Sequence, residues 1–149
     1  MCDGVYYTLG ESDTRYFFPN PRATLPVRET KGRVVLIPWG RRKEQAGKLP
    51  LGGCARREAI HAGHWDRYFP KPARLCVKSF MVKDFEGNSH WYDLTRGQYL
   101  QGLLASEGSE QRVYIVTIEP EMPDAQHATW PRIVAEPGQR VKMNRIPAF

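Results

Sequence analysis

The sequence predicts an α+β protein: a mainly antiparallel, curved, barrel-like β-sheet core with few short helices. Three observations carry that expectation. The apolar runs are short, and 13 glycines and 12 prolines punctuate them. Helical periodicity is confined to two brief stretches. At 149 residues and 41% hydrophobic side chains, the chain suits one domain with a real core, not a disordered segment.

Taken in order, strands are expected at Val5–Leu9, Leu25–Arg28, Arg33–Pro38, Leu75–Val82, Ser89–Leu94 and Val113–Ile118, each bounded by Gly, Pro, Asn or Asp. "RVYIVTIEP" is the clearest, a buried β-rich run. "FEGNSHWYDL" reads as a hairpin turning through Glu-Gly-Asn-Ser. A helix of two to three turns fits "GCARREAIHAG", starting after Gly53 and stopping at Gly63. A second is expected over Gln98–Ser106. Residues 136–149 carry little periodicity and read as a basic tail.

Several function classes lack their signatures. No apolar run reaches the length of a membrane span, and the N-terminus lacks a basic segment followed by an apolar one. Three widely spaced cysteines form no disulfide framework, which points to a reducing cytoplasm. Neither a Walker phosphate loop nor a Gly-x-Ser-x-Gly elbow is present. Cys54, His61, His64 and Cys76 cluster in sequence but lack the tight pair spacing of a zinc site, so neither metal nor cofactor is expected. Oligomeric state is not legible.

The net charge is +6, with pI near 9.4, and arginine outnumbers lysine by about two to one. Guanidinium forks bind phosphate and stack on bases, so a basic, aromatic-rich surface suits single-stranded nucleic acid. The plainer alternative is charge that keeps the protein soluble.

Four stretches bear chemistry. Cys2 follows the initiator methionine in "MCDG". Removal of Met1 would leave a free α-amine beside a thiol, a 1,2-aminothiol that closes a thiazolidine ring on an aldehyde. An accidental terminal cysteine is the bland alternative. In "LPLGGCARREAI", two glycines permit close backbone approach while Arg56 and Arg57 suit phosphate. A solvated helix end with Glu58 as local ion pair explains the same residues. "IPWGRRKEQ" sets Trp39 beside Arg41 and Arg42, either a base-stacking platform with phosphate grips or an amphipathic tryptophan at a strand end. In "HATWPRIV", His127 could serve as general acid or base, or be an ordinary loop histidine.

The order of these blocks along residues 1 to about 135 resembles that of the SOS response-associated peptidase family, whose members process abasic sites in single-stranded DNA. "MC" is followed by "RYFFPNPRATLPVR", "VVLIPWGRR", "GCARREA", "SFMVKD" and "HATWPRIV". The resemblance implies that Cys2 is the nucleophile of a thiazolidine DNA–protein crosslink after Met1 removal, with self-trimming as the associated peptidase activity. It implies that Arg56 grips phosphate, with Ala55 and Glu58 in the same Asn-Ala-Arg-x-Glu-like block. His127 would assist opening of the deoxyribose, with Pro131 in its block; Tyr16, Trp39 and Gly40 match earlier blocks. The partner implied is single-stranded DNA, preferably with abasic sites, and no membrane.

The chain departs from the family pattern at five positions. Cys54 replaces its asparagine, Val82 stands where its glutamate falls, Thr129 replaces an arginine, and Asp3-Gly4 replaces Gly-Arg. Valine neither carries a proton nor accepts a hydrogen bond, so acid–base work at that position would be lost unless Asp84 or Glu86 folds back. A catalytically impaired nucleic-acid-binding module of the same fold is therefore the alternative.

Overall fold

The computed structural model describes residues 2–119, 129–136 and 148–149. In chain order the elements are β1 (Cys2–Leu9), β2 (Ser12–Phe17), β3 (Thr24–Arg28), β4 (Val34–Pro38), β5 (Cys54–Arg56), α1 (Arg57–His61) and a 3-10 turn (Asp66–Tyr68). They continue with β6 (Lys71–Leu75), β7 (Ser79–Lys83), β8 (Ser89–Asp93), β9 (Gln98–Glu107), β10 (Glu110–Ile118), β11 (Trp130–Pro131) and β12 (Ile133–Ala135). One sheet has the order β2-β1-β7-β8 and is antiparallel throughout. The other runs β11-β10-β9-β6-β3-β4, with β12 added on β9 and β5 added parallel to β10.

Two parts of the expected fold are corrected. The protein is β-rich and not clearly α+β, because the α-helix among the described residues is five residues long. The second sheet does not close into a barrel: β4 reaches β10 through one bridge, Trp39 to Val113. The stretch expected as a second helix is β9. Its side chains are buried on both faces from Tyr99 to Leu103, which removes the alternation that marks a half-buried strand. Gly102 fits that strand, since a Cβ there would meet the Leu75 side chain at 2.9 Å. The stretch expected as one strand over Leu75–Val82 is the end of β6 and the start of β7, with Cys76 and Val77 turning from one sheet to the other.

Two-residue alternation builds two cores. Val113 and Ile115 of β10 join Val5, Tyr7, Leu25, Leu75, Phe80 and Val82 between the sheets. Tyr114 and Val116 face the other way and pack with Leu103, Trp65 and Ile60 of α1. Each fully buried aliphatic side chain of this kind contributes about 1.5–3 kcal/mol.

The expected hairpin is β7–β8. The Asp84 carboxylate accepts the backbone N–H groups of Glu86 and Asn88 at 2.9 Å each and lies 2.8 Å from His90 Nε2. The hydrogen bond with His90, together with those backbone donors, holds its carboxyl down at about 2, and Gly87 supplies the left-handed φ of 87° that the turn needs. No helix among the described residues is long and apolar enough to cross a membrane.

Candidate functional site

Antiparallel pairing of β1 with β7 sets Cys2 directly across from Val82, the position where the resemblance expects a glutamate. A β-bulge between Cys2 and Gly4 interrupts that ladder. Parallel pairing of β5 with β10 brings Cys54 to the same place: its thiol points at the Cys2 carbonyl oxygen, 3.8 Å away. Three sequence-distant positions thus meet at the N-terminal end of β1. Their surroundings are apolar. Cys2 is 2% exposed and Val82 is fully buried, and the Cys2 thiol faces the Gly4 carbonyl oxygen at 3.8 Å.

Burial pushes the Cys2 thiol well above its usual value, and the neighbouring Cys54 and Asp3 add to the effect. Burial likewise pushes Cys54 up to about 12. Both sulfurs are therefore thiols at neutral pH. Asp84 does not take over from the missing glutamate, being committed to its turn.

The remaining expected residues divide into two groups. Trp39 is fully buried, donates its indole N–H to the Gly53 carbonyl oxygen at 2.9 Å and packs edge-on against Phe18. It is a core residue with no face free for a base. Arg42 is 7% exposed and donates to the Phe18 and Trp39 carbonyl oxygens at 2.5 and 2.6 Å, with its guanidinium 4.0 Å from the Phe18 ring centroid. Burial and the nearby Arg112 lower it to about 10. Arg41 donates to the Gln45 and Leu49 carbonyl oxygens. These two arginines tie down the loop that follows β4 through backbone oxygens, while Arg42 Nη2 is buried with no hydrogen-bond partner among the described residues.

Gly53 serves the same packing. A Cβ there would meet the Phe18 ring at 2.6 Å and Trp39 Nε1 at 2.8 Å, so the glycine admits side chains of this protein and not a ligand. Arg56 and Glu58, by contrast, are exposed and form a 3.2 Å ion pair, leaving Arg56 accessible to a phosphate. Arg57 is half-buried, and its Nε has no hydrogen-bond partner among the described residues. Pro131 is buried and pairs with Thr117, which also pairs with Arg56, so two expected blocks flank one residue of β10. Tyr16 is half-buried against Tyr7 and sits opposite Val5. His127 lies outside the described residues.

Sequence reasoning missed the cleft beside this site, about 360 Å³, lined by Asp3, Phe17, Phe18, Pro19, Met81, Lys83 and Ser89. Asp3 is half-buried, and burial raises its carboxyl while Lys83 opposes the rise. Its adjacency to Cys2 was the available signal. The chain matches no family model, no curated protein and no solved structure.

Proposed function

We propose that this protein binds single-stranded DNA and captures the aldehyde of an abasic site through Cys2, in the manner of the SOS response-associated peptidase family it resembles. The observation that carries the reading is the meeting of Cys2, Cys54 and Val82, positions that the resemblance to that family singles out, the last two as departures from its pattern. With Met1 removed, the α-amine condenses with the ring-opened aldehyde and expels water. The Cys2 sulfur then adds to the imine carbon as its proton passes to nitrogen, closing a thiazolidine. Arg56, exposed at the end of β5, holds phosphate.

The chemistry is slow in this reading. The thiol is buried and protonated, and Val82 offers no proton relay, while Asp3 is the carboxyl next to Cys2 in the chain. The same burial favours a second reading, a DNA-binding module that never crosslinks.

Intact mass before and after incubation with an oligonucleotide carrying one abasic site decides between them. The expected result is loss of Met1 and a covalent adduct that Cys2→Ala abolishes. Bound but never covalent DNA, with Met1 gone, selects the module. An oligonucleotide that does not bind at all overturns both.

A further inference from the structure

The side of the first sheet that faces away from the core carries an aromatic layer. In β1, Val5 and Tyr7 point into the core, so Gly4 and Tyr6 point outward. Strand register then sets Phe17, Gly4, Met81 and Trp91 in one cross-strand row, with Arg15, Tyr6, Ser79 and Asp93 in the next. Phe17 and Trp91 stand on opposite edge strands, yet their rings meet edge to face at 6.1 Å. They can do so because Gly4 has no side chain: a Cβ there would lie 3.1 Å from the Met81 Cβ and 3.2 Å from Phe17 Cδ1.

Despite that contact Phe17 is 45% and Trp91 38% exposed. The Arg15 guanidinium lies 5.0 Å from the Trp91 centroid and 5.5 Å from that of Tyr6. It takes part in none of the ion pairs among the described residues. The carboxylates on this face have other neighbours: Asp93 accepts from Ser79 Oγ at 2.7 Å, and Asp13 lies beside the Tyr6 hydroxyl.

We infer that this face is where the bases of single-stranded DNA stack, on Tyr6, Phe17 and Trp91, with Arg15 contacting the backbone. The inference rests on the DNA-binding reading and moves its base contacts away from the buried Trp39. Three features select this occupant. Exposed rings beside a guanidinium that makes cation–π contacts but no ion pair among the described residues match the two halves of a nucleotide, π-face and phosphate. In a duplex the bases are stacked on each other and paired, so a single strand is the form that offers its faces. The platform also continues into the cleft that Phe17 and Lys83 share with Asp3, the neighbour of Cys2, so a strand lying on it is led toward the reactive end. A net charge of +6 disfavours a second copy as the occupant.

The test titrates the full-length protein into a dye-labelled oligothymidylate and reads anisotropy. Trp91→Ala and Phe17→Ala should each weaken binding about 10-fold with the salt dependence unchanged. Arg15→Gln should weaken it and reduce the slope of log affinity against log salt by about 0.7. Circular dichroism establishes that each variant is folded; should Trp91→Ala not fold, Trp91→Leu fills the space without a stacking ring. Undiminished binding by the folded variants overturns the platform and leaves the DNA reading intact. Failure of the wild type to bind the oligonucleotide overturns the DNA reading, and the platform with it. A dimer in light scattering that Trp91→Ala dissolves assigns the face to self-association and also overturns the platform.

Discussion

Cys2 and Val82 pose a conflict between position and environment at the scale of single residues. In the proposed function position favours reactivity, because the aminothiol that Met1 removal would leave needs no second side chain to trap an aldehyde. Environment opposes it, because burial raises the thiol and Val82 supplies no proton acceptor. The sign of the pH dependence follows. A thiol held above its ordinary value near 8.5 stays protonated through neutrality, and only the thiolate attacks an alkylating agent. Iodoacetamide labelling of Cys2, followed by peptide mass, should therefore rise about tenfold per pH unit from pH 7 to 9 without levelling. A plateau below pH 9 would reveal an activated thiolate and contradict the burial argument. In stability terms the protonated buried thiols cost nothing below that ordinary value, and the fold loses stability as pH climbs above it, toward the value of about 12 for Cys54. Val82→Glu tests the other half. It should speed adduct formation about 100-fold by restoring a proton relay. The same change should lower stability in urea by about 1–3 kcal/mol, because it buries a polar group where none is accommodated. An unchanged rate in a folded variant would remove position 82 from the chemistry.

Among the elements, the segment from Trp39 to Arg56 illustrates how one motif supports two opposite interpretations. Glycines and arginines beside a tryptophan are what a phosphate-binding loop requires, and also what a tight loop packed on a core tryptophan requires. Here Gly53 presents its carbonyl oxygen to Trp39 and leaves room for Phe18, while Arg42 closes the loop onto backbone oxygens. Gly53→Ala should accordingly cost about 1–3 kcal/mol in urea unfolding, through overpacking. A variant of native stability that lost DNA binding would restore the ligand-binding role. Hairpin β7–β8 was readable because Asp84, Gly87 and Asn88 encode the turn locally. Strand β9 was not, because full burial on both faces erased its period, and because nothing local distinguishes a buried strand from a short helix.

For the whole molecule, the charge of +6 becomes a measurable quantity once cations are sorted by their partners. Arg41, Arg42 and Arg112 are tied to backbone oxygens, and Arg28 and Arg74 share Glu136, so the formal charge overstates what a polyanion meets. Of the cations that stay exposed, Arg15 lies on the proposed aromatic face, Arg56 ends β5 and Lys83 lines the cleft. Three phosphate contacts predict a slope of log affinity against log salt of about −2 for single strands. Fluorescence anisotropy at several salt concentrations measures it. Affinity indifferent to salt would exclude phosphate contacts and with them the DNA reading.

By itself the sequence determined the strand-and-turn character, the hairpin, and a side chain at position 82 that carries no proton, while it began the first strand at Val5 and so left Cys2 outside it. These are properties of short segments, where turn residues and alternating burial act over a few residues. The tertiary structure alone decided which arginines and aromatics are accessible. Trp39 and Trp91 both sit at or in strands, yet one fills the space between the sheets and the other lies on an open face. That difference depends on which strands pair and on what covers each side, and those contacts join residues far apart in the chain.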